Sequence, residues 1–255
     1  MHLPRLLPAF VLSVLLAGGG CAPAPVRADS STSTAEVRSA LRALAEGGSD
    51  QADRVSYAAQ RLERYRLVPG AGGRFVRPLP SDSDSTVGHV LSYVPGRDAT
   101  QRADLVVLAG NLEGAAGAAV LTVAHRLAQQ GRYQQVPGPT VLVALWAAPR
   151  TGAQGFEDLA ALPSWAADRV TRIVYAAPDT MEAQAIRWVL QSFEQATFQV
   201  VGPPQDGRTG ASTQLEMEQA RRAEAVLRWA DALTEAMLAE PYDLTTTSSS
   251  AVPPP

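Results

Sequence analysis

The amino-acid sequence predicts an α/β domain of three layers, with a mixed, mostly parallel central sheet and helices on both faces. Three observations carry that expectation. Apolar runs of strand length alternate with longer amphipathic stretches, the pattern of a sheet whose strands are joined by helices. The runs "LVVLA" and "VLVALW" stay apolar without alternating, as strands covered on both faces do. The chain has 255 residues of which 46% are hydrophobic, ample for one large core.

The elements follow in order. Ser33 and Glu36 are spaced as a capping box, opening a helix that carries Val37, Leu41 and Leu44 on one side. "GGS" ends it. A second helix places Val55, Ala58, Ala59, Leu62 and Tyr65 on one face, and "LVPGAGG" breaks it. "TVGHVLSYV" and "ADLVVLA" are strands joined by the turn "PGRDATQR". A glycine-punctuated turn leads into a helix over about residues 117–130. "PTVLVALWA" is the next strand. A short helix over 156–162, a strand "RIVYA", a helix over 181–196, a strand "FQVVG" and a long helix over 213–238 complete the domain, set at residues 35–240.

The two ends have other compositions. Residues 1–20 combine Arg5 with a short apolar run over 6–17, which is brief for a bilayer span and reads as an export signal. Gly20 before Cys21 resembles a bacterial lipoprotein cleavage site, although Gly18 stands where such sites usually carry Leu. Acylation of Cys21 would hold the protein on a membrane of the cell envelope. Residues 21–34 then form a Pro/Ala/Ser/Thr-rich tether, and residues 241–255 a tail too poor in apolar surface to offset its ordering entropy.

Charge and composition exclude several functions. A formal charge of −3 gives no basic surface for nucleic acid. Every cation is Arg, so no lysine exists for a Schiff base or a P-loop. The single Cys excludes an intrachain disulfide and a Cys-based zinc knuckle.

The stretch "HVLSYVPGRD…ADLVVLAGN…GAAGAAVLTVAHRLAQ…PTVLVALWAAPRTGAQGF" resembles the co-catalytic zinc aminopeptidase family, which includes glutaminyl cyclases and transferrin-receptor-like proteins. The resemblance spans residues 35–238 and rests on order and texture. It implies a zinc-exopeptidase-like fold with two zinc ions at the carboxyl ends of the strands. Such a pair needs several anionic or imidazole ligands and a base for the bridging water.

Carried over position by position, the resemblance leaves few ligands here. The family's His-x-Asp falls on Asn111-Leu112-Glu113, and Asn is a neutral amide. The segment holding the bridging Asp is missing, so Glu113 runs straight into "GAAGAA" and can stand for one acidic position, not two. Gly117 matches the family glycine at the helix start. The Glu-Glu pair falls on Pro149-Arg150, with Gly152 and Gly155 keeping the turn. The later Asp falls on Ala177, with Asp179 two residues on, and the final His falls near Arg208. Arg150 and Arg208 would repel a dication, and together they could bind a carboxylate or other anion.

Other candidates are weaker. His89 in a strand and His125 mid-helix are expected to be structural or solvated, and no G-x-S-x-G elbow occurs. Gly110, Gly114 and Gly117 lack the spacing of a dinucleotide turn. Trp146, Trp188 and Trp229 sit in apolar patterns and belong to the core, and Trp165 caps the cleft or packs a loop. The expectation is therefore a non-catalytic, aminopeptidase-like envelope lipoprotein. It would hold no cofactor, and it would bind an envelope protein or a peptide-like ligand. The alternative is a zinc aminopeptidase with a divergent or residual site drawn from Glu113, Asp179, Asp206 and His89.

Overall fold

A computed structural model describes residues 33–45, 50–79, 88–132, 138–147, 155–158, 169–190, 196–204 and 215–238. Cys21, the signal, the tail, Pro149, Arg150, Gly152, Trp165, Asp206 and Arg208 lie outside the described residues. The elements are helices α1 (Thr34–Ala45), α2 (Gln51–Arg64), α3 (Gly114–Arg132), α4 (Thr180–Leu190) and α5 (Leu215–Leu238). The strands are β1 (Val68–Pro69), β2 (Val76–Pro78), β3 (Gly88–Val94), β4 (Leu105–Asn111), β5 (Thr140–Trp146), β6 (Val170–Ala176) and β7 (Thr197–Val201).

The seven strands form one sheet in the order β1-β3-β5-β4-β6-β7, with β2 also on β3. β5, β4, β6 and β7 run parallel, and β1, β2 and β3 add antiparallel pairings at one side. The mixed, mostly parallel sheet is thus the one the sequence predicts. The segment that reads only as a breaker does more: "LVPGAGGRFVRP" folds back on β3 as β1 and β2. These strands are two and three residues long, too short to show a period.

Pleating separates two cores. Val106, Leu108 and Leu112 face one side with Val37, Leu44, Val55, Leu62 and Trp229, under α1, α2, α3 and α5. Val107 and Ala109 face the other with Trp146, Phe156, Tyr175 and Ile186, under α4 and the helical turn 155–158. Helices therefore cover both faces, as three layers require.

Local chemistry sets the helix ends. Ser33 Oγ accepts from the Glu36 amide at 3.2 Å, the expected cap of α1, so that helix begins at Thr34, inside the segment read as tether. α2 ends in a Schellman turn: Leu67 N–H donates to Leu62 O, and Arg66 N–H donates to Glu63 O. Arg66 takes φ +59 at the position where glycine is usual. The last turn of α5 carries no basic residue of its own. Buried Arg172 on β6 supplies the charge, donating to Ala236 O and Met237 O. Ala196 is not helical, so α4 does not fill the whole span 181–196. Among the described residues no helix is long and apolar enough to cross a membrane.

Candidate functional site at the strand ends

The carboxyl ends of the parallel strands form one row. Asn111 is the register partner of Trp146, and Gly110 is the partner of Ala176. Asn111, Ala147 and Ala177 therefore share one edge of the sheet. β3 runs the other way and brings its first residues to that same edge, with Val90 opposite Leu145. His89, one of the donors of the alternative site, thereby joins the row.

Asn111 continues the Val107–Ala109 side of β4, so its amide points into the α4 layer. There Asn111 Nδ2 donates to Glu182 Oε1 at 2.7 Å. Tyr175, from the same face of β6, donates its hydroxyl to that same oxygen at 2.5 Å. Burial, followed by the negative charge of Glu182, drives the Tyr175 hydroxyl far above its ordinary ionisation range. Asn111 Oδ1 is itself buried and finds no hydrogen-bond partner among the described residues. Glu182 was not foreseen. Its signal was available in the spacing Asp179-x-x-Glu182, because Asp179 Oδ1 caps α4 by accepting from the Glu182 amide at 2.8 Å. That cap aims the first turn of α4, and Glu182 with it, at the strand ends.

Glu113 leaves in the opposite direction. Its carboxylate pairs with Arg54 of α2, on the other side of the sheet. Glu113 and Glu182 are thus held on opposite sides of the sheet by different partners. Ala177 is fully buried and offers a methyl group, and its amide donates to Val201 O at 3.1 Å. Gly117 behaves as expected for a tight helix start: a Cβ there would lie 2.3 Å from Leu112 O. Gly155 is equally constrained, since a Cβ would meet Trp146 Cδ2 at 2.3 Å.

His89 is 2% exposed and its ring is locked from both ends. The Ala147 amide donates to Nδ1 at 3.2 Å, which places the ring proton on Nε2, and Nε2 donates to Asp158 Oδ2 at 2.9 Å. Arg77 fastens the same turn by donating to Asp158 O at 2.7 Å. The imidazole also meets the Trp146 ring edge-on, with centroids 5.2 Å apart. With both nitrogens engaged, His89 ties β3 to β5 and the 155–158 turn, the structural role expected of it. His125 stacks on Tyr65 with centroids 4.4 Å apart and serves the α2–α3 contact in the same way.

At the described positions the donors do not fit a pair of zinc ions. Asn111 is a neutral amide held by Glu182, Ala177 carries no donor, and Glu113 is taken by Arg54. Among the described residues no three His, Cys, Asp or Glu side chains group as metal ligands.

Solved structures similar to this chain include aminopeptidase PepT from Bacillus cereus ATCC 10987, at 10% identity and a TM-score of 0.42. That match covers 57% of this chain and 43% of PepT, so the chain spans less than half of PepT's length. The chain is also similar to the LapA aminopeptidase of Legionella pneumophila, at 10% identity and a TM-score of 0.43, over 93% of this chain and 81% of that one. A glutaminyl cyclase from an Acidobacteriales bacterium matches at 11% identity and a TM-score of 0.37, over 80% of this chain and 92% of that one. No family model and no curated protein matches the chain. The fold class stated above rests on the chain's own sheet and helices.

Proposed function

We propose that this chain is an aminopeptidase-like domain that binds rather than hydrolyses, serving as a binding or scaffolding module of the bacterial cell envelope. The observation that carries the proposal is the set Asn111–Glu182–Tyr175. The Glu182 carboxylate accepts from the phenol of Tyr175 and from the amide of Asn111, the residue on which the family resemblance puts a metal ligand. Two donors already occupy Oε1, which leaves that oxygen poorly placed to take a proton from water.

The same reading assigns Cys21 as the lipid-bearing residue of an exported protein. It assigns Arg150 and Arg208 as cations facing a carboxylate of a peptide-like ligand, in place of zinc. The purified full chain should hold less than one zinc per molecule and show no chelator-sensitive release from aminoacyl-p-nitroanilides. Binding of a short carboxylate-bearing peptide should weaken in an Arg150→Ala/Arg208→Ala double variant. Radiolabelled palmitate should be incorporated by the native chain and not by Cys21→Ser.

A second reading has one observation in its favour. Glu182 and Asp179 place two acids at the start of α4, beside the strand ends. A residual zinc aminopeptidase would use them. Two zinc ions per chain with chelator-sensitive turnover would establish that reading and overturn the first.

A further inference from the structure

On the face of the sheet covered by α1, α3 and α5, a cavity of about 380 Å³ opens between α1, α5, the start of α3 and the Pro203–Pro204 segment after β7. Its volume lies within the range of small-molecule sites, roughly 300–1,000 Å³. The floor is apolar: Leu41 from α1, and Ala225, Val226 and Trp229 from α5. The indole N–H of Trp229 is already given to Val201 O at 3.0 Å, so the ring shows the cavity only carbon.

The rim is cationic. Arg38 and Arg42 reach it from α1 and Arg222 from α5, and no acidic side chain stands among the described lining residues. Arg42 also donates to Gln219 Oε1 at 3.1 Å, which joins α1 to α5 across the mouth and fixes that guanidinium at the edge. Guanidinium groups stay charged at any physiological pH and match carboxylates in geometry.

We propose that this cavity binds a single-chain alkyl carboxylate, its chain on the Trp229 floor and its head at Arg38 and Arg42. The lining disfavours a peptide acid and a small inorganic anion. A peptide body would bury its amides against Leu41, Val226 and Trp229, which have no hydrogen bonds to give, and that is costly. A small inorganic anion would leave the apolar floor wet. The proposal is independent of whether the strand-end row retains any catalysis.

The test is calorimetric titration of the full chain with decanoate below its micellar range, alongside decanol, acetate and the capped dipeptide acid N-acetyl-Leu-Leu. One decanoate per chain is expected, with the other three at least about tenfold weaker. Arg38→Gln/Arg42→Gln should weaken decanoate by about tenfold and leave decanol unchanged, and these exposed positions keep the variant folded. Ala225→Phe should abolish decanoate binding by filling the floor. No saturable decanoate binding, decanol binding as tightly as decanoate, or the dipeptide acid binding more tightly would each overturn the proposal. So would undiminished decanoate binding by the double-arginine variant.

Discussion

Removing one hydroxyl, Tyr175→Phe, probes how the strand ends are closed. Tyr175 is fully buried and donates to Glu182 Oε1 at 2.5 Å. A hydrogen bond to a charged acceptor contributes about 1.5–3 kcal/mol, so near pH 8 the variant should be less stable by about that amount. The gap should then change with pH. The folded-state pKa of Tyr175 is raised by burial and by Glu182, while the unfolded chain ionises near the ordinary value of 10.0. Above that pH the unfolded chain releases a proton that the folded chain retains, so stability falls with rising pH, by about 1.4 kcal/mol per unit for each such group. The Phe variant lacks this loss. The gap should close by about 1.4 kcal/mol per unit above pH 10 and vanish or reverse near pH 12. Urea unfolding followed by circular dichroism at pH 8, 10, 11 and 12 measures it. A gap that stayed constant from pH 8 to 12 would mean Tyr175 ionises alike folded and unfolded, and the closure argued for the strand ends would be wrong.

Other substitutions test the remaining parts. Gly117→Ala gains about 1 kcal/mol of helix propensity, yet its Cβ would press on Leu112 O, so thermal unfolding should show a net loss of about 1–2 kcal/mol. Arg66→Gly should stabilise by about 1 kcal/mol in the same assay, because it relieves a left-handed residue at the end of α2. His89→Leu strips an acceptor from the buried Ala147 amide and should cost about 1–3 kcal/mol by chemical denaturation. Tyr65, whose pKa burial raises to about 12, should add its own alkaline loss between pH 10 and 12, visible as late phenolate absorbance removed by Tyr65→Phe.

Much of the fold was legible because its strands and helices are long enough to show a period. β4 and β5 are buried on both faces and read as continuous apolar runs. The Ser33–Glu36 cap was legible because capping is local. β1 and β2 were not, since two or three residues carry no period and pair only with β3. The resemblance to the zinc aminopeptidases implied that Asn111, Glu113 and Ala177 stand near one edge, and the parallel register puts Asn111 and Ala177 there. What they touch was not legible, because Glu182, Arg54 and Val201 lie 71, 59 and 24 residues away in the chain.

By itself the sequence determined the apolar faces of the first two helices, the cap that opens α1 and which side-chain types stand at the strand ends, because periodicity, capping and chemistry are properties of short stretches. Only the tertiary structure decided that β3 runs against its neighbours and carries His89 to the edge. Only the structure sent Glu113 to Arg54 and Asn111 to Glu182 and Tyr175. Those choices depend on strand direction and on pleat, which fix the side of the sheet each side chain leaves from, and neither is set until distant segments pair.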